Sequence, residues 1–293
     1  MIVCKTVSEV RRWRAQQQGR VGIVPTMGYL HEGHLSLVRA IRPHCDVIVA
    51  TIFVNPTQFT QAEDLEKYPR NEVRDCALLS SEGVEVVFVP AIEEIYPPGC
   101  PPTWVSVEGV SEPMEGTYRP GHFRGVTTVV TKLFSIVQPD VSIFGEKDFQ
   151  QLRVIEEMTK ALLLPTTIVR GALIREEDGL AMSSRNVRLS PEDRISARAL
   201  SRALRAARIL FDSGVCDTAV LRAEIERVMS EVAGIKIDYI ELVDEETLRP
   251  APWVKPGTRI CIAAWIGGVR LIDTDVLGGR VFRDSHPTQN VTE

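Results

Sequence analysis

Two histidines near the N-terminus stand where residue type and spacing suit phosphate chemistry. In PTMGYLHEGHLSLV (25–38) an apolar strand ends, a glycine turns the chain, and His31 and His34 open a helix on one side of its first turn. Unpaired N–H groups and the positive end of the helix dipole at such a start favour a phosphate. Gly33 leaves room for a nucleotide base or ribose. Surface histidines or half of a metal site are the alternatives, but no other Cys/His cluster has ligand spacing.

A second polar segment, GLAMSSRNVRLS (179–190), follows much later in the chain. Its glycine, serine hydroxyls and arginine combine flexible backbone, donors and a fixed cation, which can clamp a triphosphate. Taken alone, the segment is better explained as a capped loop before a helix, and only its pairing with the two histidines favours the clamp. The chain contains no Gly-Lys pair, so a P-loop is excluded as the ATP site.

The elements that must position these residues alternate between strand and helix. Apolar, β-branched runs, typical of strands buried on both faces of a parallel sheet, occur at 21–25, 46–54, 84–90, 140–145 and 166–170. Helical stretches separate them, so the sequence predicts an α/β fold with a Rossmann-like, doubly wound parallel sheet. Ligands of such sheets bind outside the carboxyl ends of the strands, which is where FVNPTQF (53–59) follows the second run.

The pattern changes after about residue 175. One long amphipathic helix is predicted over 191–212 and another over 217–232, followed by strands over 236–244, 259–267 and 269–273. We therefore expect a first domain over 1–174, a smaller α+β domain over 175–278, and a disordered tail over 279–293.

Composition limits the class of partner. Hydrophobic residues make up 44% and charged residues 25% of the 293 residues, and the net charge is −5, which favours neither nucleic acid nor a membrane surface as partner. No apolar run is long enough to cross a bilayer, and a cytoplasmic protein is expected. The six cysteines form no CxxC pair and are expected to be free thiols.

Five motifs together carry a resemblance to a known family. The two polar segments resemble the HIGH and KMSKS signatures of the nucleotidyltransferase superfamily. With FVNPTQF, YRPGHFRGV (118–126) and FGEKDFQQL (144–152), the set looks like the pantoate–β-alanine ligase (pantothenate synthetase) family. The match runs in order from Val24 to about Leu189, and RLID (270–273) also fits.

The resemblance implies an ATP-dependent ligase of two steps. ATP and pantoate would give pantoyl-adenylate and pyrophosphate, and β-alanine would then displace AMP to give pantothenate. The first domain would bind ATP and pantoate, and the second would act as a lid. His34, with the acid role, His31, Lys147 and Arg185 would be catalytic, and Gln58 and Gln151 would hold pantoate. The residues that would contact ATP are Pro25, Thr26, Met27, Gly28, Tyr29, Leu30, His31, Glu32, Gly33, His34, Gly145, Glu146, Lys147, Asp148, Ile174, Met182, Ser183, Ser184 and Arg185.

The resemblance also implies Mg²⁺ with ATP and a homodimer. Asp75 is a candidate magnesium ligand, since the family's acidic positions lie in a variable helix that reads EVRDC here. No cysteine is assigned a role, because pantoate's own carboxylate is the nucleophile.

Two other functions remain open from the sequence. The first is another nucleotidyltransferase with the HxGH pattern of residues 31–34, which would act on a different acceptor, such as a phosphate. FVNPTQF and the two glutamines Gln58 and Gln151 favour a carboxylate acceptor instead. A nucleotide-binding module without activity is the other alternative, although every residue that the chemistry needs is present.

Overall fold

A computed structural model describes residues 1–279, and its first feature is a six-stranded sheet in which every pairing is parallel. The strands are β1 (Ile2–Cys4), β2 (Val21–Thr26), β3 (Val47–Ile52), β4 (Val86–Phe88), β5 (Val141–Gly145) and β6 (Thr167–Gly171). The predicted Rossmann-like parallel sheet is confirmed. Strand β1 was not predicted, because three residues at a sheet edge carry too little pattern.

The strand order β1-β4-β3-β2-β5-β6 gives the sheet a switch point between β2 and β5. From β2 the chain moves outward through β3 and β4, and from β5 it moves the other way to β6. A crevice forms where the order reverses, outside the carboxyl ends of the two central strands. The segments that begin there are the turn after Thr26 and the turn after Gly145, so the fold brings the HxGH and GEKD motifs to one place.

Helices separate the consecutive strands of this sheet, as predicted. They are α1 (Val7–Arg14), α2 (Glu32–Ile41), α3 (Ala62–Glu66), α4 (Glu72–Ser81), α5 (Ile92–Ile95), α6 (Glu115–Tyr118), α7 (His122–Val137) and α8 (Phe149–Ala161). Helix α1 is capped by Thr6. The Thr6 hydroxyl accepts from the Glu9 amide and the Glu9 carboxylate accepts from Thr6, a reciprocal capping box.

The second unit has a three-stranded antiparallel sheet, as predicted, of β7 (Lys236–Val243), β8 (Arg259–Ile266) and β9 (Val269–Val276). Its helices are α9 (Pro191–Ala197), α10 (Ala199–Asp212) and α11 (Thr218–Ser230). The single helix predicted over 191–212 is therefore wrong: it is interrupted at Arg198. An apolar core between helices and sheet includes Leu204, Ile225 and Ile262.

The described chain divides into two compact units. The first comprises Met1–Ile174 with Met182–Val187, and the second comprises Arg175–Ala181 with residues 188–279. The sequence had assigned 182–187 to the second domain, whereas the structure groups this segment with the first unit. The predicted binding and lid roles of the two domains stay predictions. The predicted tail lies, from Arg280 onward, outside the described residues. Within residues 1–279, no helix has the length and apolarity that a membrane span requires.

Candidate active site

A pocket of about 220 Å³ lies in the first unit, beside the turns that follow β2 and β5. Sixteen of the residues predicted to bind ATP or pantoate line it. They are Pro25, Thr26, Met27, His31, Gly33, His34, Gln58, Gly145, Lys147, Asp148, Gln151, Ile174, Met182, Ser183, Ser184 and Arg185. Five predicted ATP contacts, Gly28, Tyr29, Leu30, Glu32 and Glu146, are not among its lining residues.

His31 and His34 face each other at the start of helix α2. Their ring centroids lie 4.0 Å apart, and His31 is the N-cap residue of the helix. A Cβ added at Gly33 would come within 3.0 Å of the His31 ring and 3.5 Å of the Met182 Cβ. The glycine therefore allows the imidazole to fold over the helix start, beside the segment that carries the downstream serines and arginine.

His34 is held in one neutral tautomer. The backbone N–H of His31 donates to the His34 Nδ1 at 3.3 Å, and because an amide N–H can only donate, Nδ1 carries no proton. Burial, and after it the charges of His31 and Lys147, holds the pKa of His34 well below its usual value. Nε2 must then carry the proton. At neutral pH His34 is a hydrogen-bond donor through Nε2–H, and the acid role that the family resemblance implied for it stays a prediction.

Two cations, Lys147 and Arg185, line the same pocket as the histidines. The Lys147 Nζ lies 3.6 Å from the Asp148 carboxylate, and the lysine's charge reaches His34. The Arg185 Nη2 lies 2.7 Å from the Asp64 carboxylate, on helix α3. An incoming phosphate would have to share the Arg185 guanidinium with Asp64 or displace Asp64 from it.

The segment that carries Arg185 is tied to the HxGH turn within the first unit. The Ser184 hydroxyl donates to the Tyr29 carbonyl at 3.1 Å, and Met182 donates its amide to the Ile174 carbonyl at 3.0 Å. These bonds explain why 182–187 belongs to the unit that holds the pocket. They also bring the two signature motifs together, as the sequence predicted.

Asp75 does not fit the magnesium role suggested for it. Its side chain is 1% exposed, and its two carboxylate oxygens accept from the amides of Tyr29 at 2.6 Å and Leu30 at 2.8 Å. The Tyr29 backbone has φ +50°, a left-handed conformation that is costly for a non-glycine residue. Asp75 thus anchors the turn, and the amides of Tyr29 and Leu30 that the sequence offered to ATP are already taken.

Asp75→Asn is expected to destabilise the fold without changing the magnesium requirement. An asparagine amide can accept from one of the two N–H groups but turns its own N–H toward the other, which costs about 2 kcal/mol of unfolding free energy. Denaturant unfolding and Mg²⁺ titration of activity are the measurements, with Glu72→Gln, an exposed change on the same helix, as control. A stable variant that needs much more Mg²⁺ would make Asp75 a metal ligand after all.

Gln58 is held from several sides in the segment that follows β3. The residue is 8% exposed and lines the pocket, and its backbone carbonyl oxygen accepts from the His122 Nδ1 at 2.7 Å. Because a carbonyl can only accept, His122 carries its proton on Nδ1, and Nε2 accepts from Arg119 at 3.2 Å. Burial, followed by the charge of Arg119, lowers the pKa of His122 to about 3, so this imidazole is neutral too.

Close packing against helix α7 fixes the same turn. A Cβ at Gly125 would lie 2.3 Å from the Thr57 carbonyl oxygen and 2.7 Å from the Gln58 nitrogen. Only glycine lets the turn after β3 approach the helix so closely. The glycine of the RPGHFRGV motif therefore serves the placement of Gln58.

The neighbouring residues Gln151 and Gln150 have different surroundings. Gln151 lines the pocket from the first turn of helix α8. Gln150 is buried, accepts from the Glu115 amide and donates to the carbonyls of Val110 and Pro113, so it fixes the preceding loop.

Sequence reasoning gave no role to three polar residues that line the pocket, Asn55, Arg119 and His122. All three lie inside the quoted motifs, and that position is the sequence feature that could have identified them as pocket residues. Tyr68 also lines the pocket but stands outside the quoted motifs, and the sequence gave no sign of it; burial raises the pKa of its hydroxyl.

Comparisons with known proteins agree on one family. The family model described as pantoate-beta-alanine ligase matches residues 2–276. The chain is 51% identical over 282 residues to pantothenate synthetase 1 of Bradyrhizobium diazoefficiens, covering 94% of this chain and 98% of that one. It is 47% identical to the pantothenate synthetase of Thermotoga neapolitana, covering 95% and 100%.

Solved structures give the same result. The chain is similar to the pantothenate synthetase of Thermus thermophilus, with a TM-score of 0.90, 46% identity, and coverage of 94% of this chain and 98% of that one. It is also similar to the pantoate-beta-alanine ligase of Francisella tularensis complexed with beta-gamma ATP and beta-alanine. There the TM-score is 0.80, the identity 33%, and the coverage 94% and 97%.

Proposed function

The chain belongs to the pantoate–β-alanine ligase family, and from this premise we propose that its pocket joins pantoate to β-alanine through a pantoyl-adenylate. The family predicted from the five motifs is confirmed, and with it a ligase that uses ATP. The proposed reaction has two chemical steps, adenylation of pantoate and transfer of its acyl group to β-alanine.

In the first step the pantoate carboxylate attacks the α-phosphorus of ATP. The bond from that phosphorus to the oxygen bridging to the β-phosphate breaks, and pyrophosphate leaves with the electron pair. Negative charge grows on the phosphorus oxygens and on pyrophosphate, so catalysis depends on positioning and on placed donors. The donors that we propose for this charge are His34 through its Nε2–H, His31, Lys147 and Arg185, all of which line the pocket.

In the second step the neutral amine of β-alanine attacks the acyl carbon of the adenylate. The new carbon–nitrogen bond forms, the carbon–oxygen bond to AMP breaks with its electron pair leaving on AMP, and the amine loses one proton to solvent. No enzyme nucleophile is needed in either step. None of the residues that line the pocket in the described part of the chain is a cysteine.

Mg²⁺ is proposed as the companion of ATP. The fit to a protein cage is poor: Asp75 is occupied by two amides, and residues 1–279 contain no group of three or more His, Cys, Asp or Glu placed to hold a metal. The ion would therefore bind mainly through the phosphates, whose charge it neutralises.

The observation that carries this proposal is that one pocket at the switch point is lined by residues from all five family motifs. Incubation with ATP, pantoate and β-alanine should release AMP. Omitting pantoate or omitting β-alanine should abolish AMP release. Exchange of pyrophosphate into ATP should need pantoate and not β-alanine. Exchange that instead needs a phosphorylated acceptor would favour the other HxGH nucleotidyltransferase.

A homodimer in the cytoplasm completes the proposal, and both parts rest on the sequence and the family. Sedimentation at micromolar concentration is expected to give twice the chain mass of 32.6 kDa. A monomer throughout that range would refute the dimer.

A further inference from the structure

We propose that Tyr96, which does not line the pocket, is a positioning residue: by donating to Asn55 it helps to hold Gln58 in the orientation that presents its amide nitrogen, and thus a hydrogen-bond donor, to the substrate acid. The inference rests on the proposed function, since it takes pantoate as the acid. It concerns a residue outside all five motifs.

The orientation of the Asn55 amide is fixed by groups that cannot change roles. Its Nδ2 lies 3.2 Å from the Gly125 carbonyl oxygen, which can only accept. Its Oδ1 lies 3.4 Å from the backbone amide of Thr57, which can only donate. Reversing the side chain would set oxygen against oxygen and N–H against N–H, so the amide has one orientation.

Two hydroxyl groups strengthen this orientation. The Tyr96 hydroxyl donates to the Asn55 Oδ1 at 2.8 Å and the Thr57 hydroxyl donates at 2.9 Å, while the two hydroxyls are 3.0 Å apart. The oxygen of Asn55 is thus surrounded by donors. Its nitrogen is left to face Gly125 and Gln58 alone.

The orientation of the Asn55 amide also determines that of the Gln58 amide. The Asn55 Nδ2 donates at 3.1 Å to the near end of the Gln58 amide, which must therefore be the oxygen, Oε1. The far end is then Nε2, which lies 3.0 Å from the Met27 sulfur at the pocket wall. A thioether is a weak acceptor, so a substrate carboxylate or hydroxyl oxygen would be a better partner for these N–H groups.

Removing only the Tyr96 hydroxyl is a clean test because other contacts hold the ring. The Lys132 ammonium lies 4.5 Å from the ring centroid, and the Phe53 ring centroid lies 6.4 Å away. Tyr96→Phe keeps both contacts and changes nothing that lines the pocket. The exposed Tyr118 provides a matched control, Tyr118→Phe.

Tyr96→Phe is expected to raise the KM for pantoate about fivefold, the usual effect of one net hydrogen bond, while the KM for ATP stays the same. The decisive measurement is the same change in a Gln58→Ala background, where it should have no further effect on pantoate, because the amide that Tyr96 orients is gone. Circular dichroism verifies folding, and Tyr118→Phe should match the wild type.

Two results would overturn the inference. One is an unchanged KM for pantoate in Tyr96→Phe. The other is an equal loss with and without Gln58, which would mean that Tyr96 supports the fold in general. If the wild type releases AMP with pantoate and either result is found, only this inference fails; a wild type inactive with pantoate refutes the proposed function as well.

Discussion

Replacing His34 with alanine is expected to slow adenylate formation about a hundredfold or more, with the fold intact. The loss follows from removing the Nε2–H donor from the place where charge grows on the phosphates, a change that typically costs about 3 kcal/mol. His31→Ala should show a loss of the same order, because its ring contacts that of His34 and lines the same pocket. Pyrophosphate exchange into ATP isolates this step.

The neutral tautomer of His34 makes the prediction sharper. His34→Gln keeps an N–H donor and should recover part of the rate that His34→Ala loses. Because the pKa of His34 lies well below 6.5, the group is already neutral at pH 6.5, and its contribution to exchange should not change between pH 6.5 and 8. An imidazolium acid would instead lose activity as pH rises through that range.

The exposed His44 gives the control, since His44→Ala removes a histidine outside the pocket and should leave exchange unchanged. Near-normal exchange in both His31→Ala and His34→Ala, with folding verified by circular dichroism, would remove the pair from the mechanism. Activity that disappears in His34→Gln as fully as in His34→Ala would argue that the imidazole, and not a donor, is what the step requires.

The position of the pocket could be predicted because it follows from strand pattern and motif order. Apolar β-branched runs predict parallel strands, and a doubly wound sheet places the ends of its central strands side by side. The turns after Thr26 and Gly145 carry HxGH and GEKD, so their meeting is a consequence of topology. Most residues of the candidate site could therefore be predicted, because they belong to motifs that each lie within a single loop.

The features that the sequence did not predict depend on contacts between distant segments. Asp75 looked like a metal ligand because a helical carboxylate carries no local sign that it will be buried against Tyr29 and Leu30. The tautomer of His34 depends on an amide of its own turn, but its pKa depends on burial and on Lys147, more than one hundred residues away. Tyr96 acts through a side chain that meets it only in the fold.

Gln58→Glu is expected to raise the KM for pantoate tenfold or more, about 1.4 kcal/mol, with little change in the KM for ATP. The substitution keeps the size and shape of the side chain. One oxygen of the introduced carboxyl can still accept from the Asn55 Nδ2, so the other takes the place of Nε2. A negative charge then faces the substrate carboxylate where a donor had been.

A cationic residue would bind pantoate more tightly than Gln58, but it would also draw charge from the carboxylate that must attack phosphorus. A neutral donor orients the acid and leaves it nucleophilic, which is the reason we expect a glutamine here. The defect of Gln58→Glu should therefore shrink as pH falls, because the introduced carboxyl donates again once it is protonated. Gln61→Glu places the same charge three residues away on an exposed side chain and should leave the KM unchanged. A KM for pantoate that is the same in Gln58→Glu and the wild type would place Gln58 outside the acid pocket, and the assignment of pantoate to this part of the site would fall with it.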